Sequence, residues 1–394
     1  MFLKNLTILK YWNSPRNVMR KICDVLGTVA LAAVVVAATV SFVGCRKQNQ
    51  NDDAQETVKI ACNLPMTGEL AYFGERIQNG VRLALKEQDG KHVRFDFQDN
   101  RGEAKNAVTI LQKQLSKDVD VYVSGVAGAT MALLGNEQLK DKPHFIWSFY
   151  PLFLSKNGNI FRTWLNFGIE AQNYIDICKN ANPKTVSYVY VNIEACAEQA
   201  KFVKEHLNKI DPSISVHLEP YDMNEKNFRN IAAKKAILDS DILIINGYKN
   251  HLISLIKELN YNNIDKTKII ASFDLLDAAP HLDKSQVEDI RLLVPKFLID
   301  KYASPRYKKW KQNYQEMFNV TPDYTDAYAY EMATILIEAA KIAEVQKTNI
   351  HDALRIVDIE GITGRLKFDE YGDLLYDMET CSYKNGELIP FISK

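Results

Sequence analysis

The stretch Val58-Lys59-Ile60-Ala61-Cys62-Asn63-Leu64-Pro65-Met66-Thr67-Gly68 decides the fold. An apolar run broken by Pro65 and Gly68 reads as a buried strand leading into a turn. Ile77, Val81, Ala84 and Leu85 follow at helical spacing. Strand, turn and amphipathic helix make the first half of a βαβ unit, so the question is whether the beat continues.

It continues in both directions of the argument. Val93, Phe95 and Phe97 alternate as a strand, and Ala104, Ala107, Val108, Leu111 and Leu115 form the next helical stripe. Strands are predicted at 119–124 and 145–149, with a helix over 129–139 between them. After residue 162 the same alternation gives helices over 168–179, 195–208, 226–238 and 251–260. Strands over 186–191, 215–218, 242–246 and 268–273 lie between them. Regular strand–helix alternation forces right-handed crossovers and parallel sheets covered by helices on both faces. The last third adds a strand over 292–297, helices over 305–318, 326–344 and 349–356, a β-segment over 364–368 and a hairpin turned at Asn385-Gly386. A chain of 394 residues exceeds one ordinary core, so the fold class is α/β with two doubly wound parallel-sheet lobes.

N-terminal to Val58 the composition changes. Lys4, Lys10, Arg16, Arg20 and Lys21 precede an uncharged run over 25–44, which ends in Phe42-Val43-Gly44-Cys45 and then polar Arg46-Lys47-Gln48-Asn49-Gln50. Basic, apolar, then small residues before a cleavage point is the order of a secretory signal. The Cys45 context resembles the bacterial lipobox, which implies a signal peptide over 1–44 and a lipidated Cys45, although Phe42 stands where that motif carries Leu. An uncleaved anchor is the alternative. Met19 begins a leader of more ordinary length and is read as the start. Residues 45–57 lack periodicity and read as a flexible tether.

Lys plus Arg equals Asp plus Glu at 49 each, and residues 45–394 carry 44 basic and 48 acidic residues, a net of −4. Nucleic-acid partners need a basic surface to release counterions, so that class is excluded. Cys62, Cys178, Cys196 and Cys381 show no CxxC pair or metal spacing. A Cys178–Cys196 disulfide is conceivable, and buried free thiols are the plainer reading. The chain has no GxSxG elbow, HExxH, phosphate loop or GxGxxG, which argues against an enzyme. No cofactor or metal is expected.

Several segments, in order, resemble the type I periplasmic binding proteins, specifically the branched-chain amino-acid (Leu/Ile/Val) receptor group of ABC transporters. Residues 60–68 resemble that family's first strand and its PLTG turn, followed by Gly74 and the helix over 80–85. Residues 99–107, Val123-Ser124-Gly125 and the helix over 328–340 continue the match. Gly361-Ile362-Thr363-Gly364 through Asp369, with Gly372-Asp373, completes it. The resemblance covers residues 58–394. It implies two lobes joined by three crossings, with 58–164 and 274–374 in lobe one and 165–273 and 375–394 in lobe two. It also implies a small solute held between them for delivery to an ABC transporter permease, an extracytoplasmic location, and a monomer. A ligand-binding sensor on the same fold is the alternative.

Open parallel sheets bind ligands beyond the carboxyl ends of their strands, so the loops there are the candidate site. Tyr72 and Phe73 follow the first strand, and the family places an aromatic at the second of these. Ala127, Gly128, Ala129 and Thr130 belong to the segment that joins the third strand to a helix, where small residues let backbone N–H groups at the helix N-terminus approach a carboxylate and Thr130 adds a hydroxyl. Ser148, Phe149 and Tyr150 follow the fourth strand, beside Trp147. On lobe two the family's Tyr and carboxylate are replaced by Ala195 and His251. Glu194 or Asp274 is the candidate substitute charge, and Tyr248 a candidate lid residue. The aromatic loops suit a solute with an aromatic or apolar tail.

Overall fold

The computed structural model describes residues 57–149 and 154–391. The leader, the tether, Cys45 and Tyr150 lie outside the described residues. In chain order the first elements are β1 (Val58–Leu64), α1 (Ala71–Glu87), β2 (Val93–Asp99), α2 (Ala104–Leu115), β3 (Val121–Gly125), α3 (Ala127–Leu133), β4 (His144–Trp147) and β5 (Ile160–Phe161). The second series is α4 (Phe167–Ala181), β6 (Thr185–Val191), α5 (Glu194–Ile210), β7 (Ser215–Tyr221), α6 (Arg229–Ala232), α7 (Lys235–Leu238), β8 (Ile242–Ile245), α8 (Lys249–Tyr261) and β9 (Ile269–Ala271). Then come α9 (Leu275–Ala278), α10 (Lys284–Val287), β10 (Arg291–Pro295), α11 (Pro305–Phe318), α12 (Tyr324–Gln346) and α13 (Ile350–Ile356). Four strands close the chain: β11 (Ile359–Glu360), β12 (Arg365–Leu366), β13 (Met378–Lys384) and β14 (Glu387–Pro390).

Two large sheets result. One has five strands in the order β2-β1-β3-β4-β5, all parallel. The other has seven in the order β14-β13-β10-β9-β8-β6-β7, parallel except for the β10–β13 and β13–β14 pairs. Each has its own core. Ile60, Val81, Val121, Phe145, Tyr328 and Ile335 belong to one; Val189, Leu207, Leu243, Leu255, Ile270 and Leu292 belong to the other. Helix α1 lies close against α12 because Gly80 carries no Cβ: one there would come within 2.4 Å of the Asp326 carbonyl oxygen.

Three expectations are corrected. The strand near 292 was placed with residues 58–164, yet β10 pairs with β9 and β13 in the seven-stranded sheet. Leu275, Ala278, Val287 and Ile290 pack into that same core, so the chain stays in the second lobe through Ile299. A short buried apolar run fits either sheet, and only the packing of the helices around it decides. The helix expected over 226–238 is two short helices, because Lys234 between them is extended at φ −64°, ψ 135°. The helix expected over 129–139 ends at Leu133, and Gly135 turns left-handed at φ +84°. Cys62, Cys178, Cys196 and Cys381 are buried free thiols.

Where the chain passes between the lobes, a buried ion pair joins two of the connecting segments. Arg162 Nε donates to Asp373 Oδ1 at 2.9 Å and Nη2 to Oδ2 at 2.6 Å, while Asn166 Nδ2 adds a bond to Oδ2 at 2.8 Å. Arg162 is fully buried and Asp373 nearly so. Two parallel charge-assisted bonds fix the geometry of the two strands that cross there.

Candidate functional site

The carboxyl ends of both sheets converge on one cavity between the lobes. Its lining is Phe73 and Ile77 from α1, Val126 after β3, Trp147 at the end of β4 with Ser148 and Phe149 after it, Trp164 on the first crossing, Tyr248 before α8, and Phe273-Asp274 after β9. Phe149 and Tyr248 pack against both cores, so each lobe closes over the other's strand ends. The space left for solvent centres is about 30 Å³. That is about enough for a single water.

Five of the expected residues meet in this cavity: Phe73, Ser148, Phe149, Tyr248 and Asp274. Tyr72 lies beside it, its ring centroid 4.1 Å from that of Phe73. Its hydroxyl is buried and has no hydrogen-bond partner among the described residues. Burial and the nearby Asp274, Asp277, Tyr248 and Asp323 push the Tyr72 hydroxyl well above the usual phenol range.

The β3–α3 loop does not behave as expected. Ala129 is buried with Ala107, Leu111 and Tyr122, a small core separate from the cavity. Thr130 Oγ1 lies 3.0 Å from Ser124 Oγ, which lies 2.8 Å from His144 Nε2. The Thr130 hydroxyl is therefore spent inside lobe one. Burial lowers His144 to about 3, so the imidazole in this network is neutral. Gly128 is exposed with nothing within 4 Å of where a Cβ would stand, and Ala127 merely opens α3. Glu194 is exposed in the first turn of α5 and is absent from the cavity lining.

The residues missed are Val126, Ile77, Trp164 and Phe273, together with acids behind the lining. Asp277 accepts from the Tyr324 hydroxyl at 2.9 Å, a bond from α12 of lobe one to α9 of lobe two. Glu170 accepts from the Phe273 backbone N–H at 2.8 Å and from Gln199 Nε2 at 3.0 Å. Trp164 and Phe273 stand at chain crossings or strand ends, which the topology places at a cleft; that position was the available signal. Burial is the largest cause of the raised pKa values here. It holds Asp274 well above the carboxylate range, with Asp277 and Glu170 adding repulsion, and brings Asp277 up to about 7. Arg76 is engaged by Asp323 at 2.8 Å and by Asp326. The arrangement can therefore enclose an apolar body and offer it one carboxyl group.

A sequence profile of the family described as "Periplasmic binding protein" matches residues 57–381. A curated relative, "Leu/Ile/Val-binding protein homolog 3" of Brucella melitensis, is 24% identical over 231 residues, 55% of this chain and 60% of the relative. The match thus spans 60% of that relative's length, less than two thirds. Among solved structures, the branched-chain amino acid transporter substrate binding protein LivJ from Streptococcus pneumoniae, in complex with isoleucine, superposes with a TM-score of 0.72. It is 22% identical, over 85% of this chain and all of that one. The solute binding protein of an ABC transporter from R. palustris, in complex with benzoate, also gives 0.72, at 16% identity over 85% of this chain and 95% of the other. At these identities the two structures establish the shared fold.

Proposed function

We propose that this chain, which belongs to the periplasmic binding protein family, captures a small solute between its two lobes outside the cytoplasm and delivers it to an ABC transporter permease. The observation that carries the reading is the cavity walled from both lobes at the strand ends, where open α/β sheets bind their ligands. Residues of both lobes complete it, so binding and lobe closure are linked, and a permease can distinguish loaded from unloaded receptor. In this reading Cys45 carries the lipid that holds the receptor at the membrane, and the receptor works as a monomer. Phe73, Ser148, Phe149, Tyr248 and Asp274 are the contacts, with Tyr72 at the margin. The solved structures named above, a branched-chain amino acid transporter substrate binding protein in complex with isoleucine and a solute binding protein of an ABC transporter in complex with benzoate, support the class of solute only as small and organic.

The test is thermal unfolding of the full chain, freed of bound solute, against amino acids, amides, amines and aromatic acids. A ligand at about 100 times its dissociation constant adds roughly 2.7 kcal/mol, a rise of several degrees. Selective stabilisation by one class is the expected result. A folded protein that no class stabilises refutes the receptor reading.

A further inference from the structure

We propose that the solute is a small organic cation, a protonated amine or quaternary ammonium, whose charge is met by Asp274 inside a box of aromatic rings. This rests on the reading of the interlobe cavity as the solute site. Six of the ten lining side chains are aromatic: Phe73, Trp147, Phe149, Trp164, Tyr248 and Phe273. The rings are held by edge contacts, with Trp164 at 6.1 Å from both Phe73 and Phe273 and tilted against Trp147 at 5.0 Å. Ring faces carry partial negative charge and attract an ammonium group, more strongly where water is excluded.

Among the described residues Asp274 is the one Asp, Glu, Lys or Arg in the lining, and no Lys or Arg makes an ion pair with it. Its hydrogen bond comes from Ser272 Oγ at 3.3 Å, which is long and leaves acceptor capacity unused. The buried Tyr72 hydroxyl, without a partner, adds a second oxygen at the margin. An anionic solute would meet no basic side chain in this lining. A zwitterionic amino acid would satisfy its ammonium but find only Ser148 and backbone groups for its carboxylate.

The carboxyl groups facing Asp274 are Asp277 on its own helix and Glu170 from α4. Tyr72 from α1, Tyr324 from α12, Tyr174 from α4, Tyr221 from β7, Tyr248 before α8 and Cys196 from α5 also feel its charge. The neighbouring cations Arg76 and Lys249 act on Asp277. Burial and the facing carboxyl groups favour the neutral acid of Asp274, and an entering cation favours its ionised form with the proton passing to solvent.

The experiment is calorimetric titration of the full chain with tetramethylammonium and benzylamine, against benzyl alcohol, benzoate and leucine, in buffers of differing ionisation enthalpy. The ammonium probes are expected to bind with release of about one proton, and benzyl alcohol more weakly by at least tenfold. Asp274→Asn should cost about a hundredfold and abolish the proton release. Tyr248→Leu, which leaves every charge in place, should cost about tenfold. Far-UV circular dichroism checks that each variant is folded. Benzoate or leucine binding where the ammonium probes fail overturns the cation reading and leaves the receptor standing. So does an Asp274→Asn variant that binds the ammonium probes as tightly as the parent. Failure of every probe on a folded chain overturns both.

Discussion

Replacing Glu331 by Gln should remove a specific slope from the stability–pH curve. Glu331 sits inside α12 with no exposed surface. Its Oε1 accepts from the Thr363 backbone N–H at 2.8 Å and from Thr363 Oγ1 at 3.0 Å. The Oε2 atom has no hydrogen-bond partner among the described residues. Gly361 lets the loop come this close, since a Cβ there would stand 2.4 Å from Oε1. Burial raises the carboxyl from its ordinary 4.5 to about 7, against the two Thr363 bonds that lower it. The folded state therefore holds this proton more tightly than the unfolded chain. The associated stability is fully present below pH 4.5 and is lost as pH rises through 7. Two and a half pKa units correspond to about 3 kcal/mol. Asp277 and Asp326, both raised to about 7, impose the same sign of slope on parent and variant, so they cancel in the difference. Urea unfolding of both proteins at intervals from pH 4.5 to 8 measures it. The parent's advantage over Glu331→Gln should shrink by about 3 kcal/mol across that range. Two curves that stay parallel within about 0.5 kcal/mol would refute the reasoning.

Three further outcomes follow from the packing. Asp373→Asn leaves Arg162 buried without its charge partner and should cost about 3–5 kcal/mol in chemical unfolding, whereas Arg162→Met with Asp373→Leu should cost much less. Thr130→Val breaks the Ser124–His144 network and should destabilise by about 1–3 kcal/mol while leaving solute affinity unchanged. Phe73→Ala should do the reverse at the site and weaken binding measurably, with both variants compared by the same calorimetric titration.

Much of the molecule was readable in one dimension because its signals are local. The seven-residue run of β1 and the helix over 305–318 were legible to the residue, since proline, turn glycines and apolar period mark their ends. Phe73, Ser148, Phe149, Tyr248 and Asp274 meet in one cavity because each follows a strand, and parallel α/β sheets gather such positions at one edge. Thr130 and Ala129 occupy an equivalent place after β3 and yet turn inward. Nothing along the chain announces that Ser124 and His144 wait to bond that hydroxyl.

By itself, then, the order of strands and helices determined the α/β class and the existence of two lobes, because hydrophobic periodicity and crossover handedness act over neighbouring elements. Tertiary structure alone decided that β10 joins the second sheet, that Trp164 and Phe273 line the interlobe cavity, and that Asp274, Asp277 and Glu170 come near one another. The physical reason is common to all three. Burial and proximity depend on residues brought together from a hundred positions away and more, as Glu170 and Phe273 are. The charge state and the ring contacts that define the site exist only after that meeting.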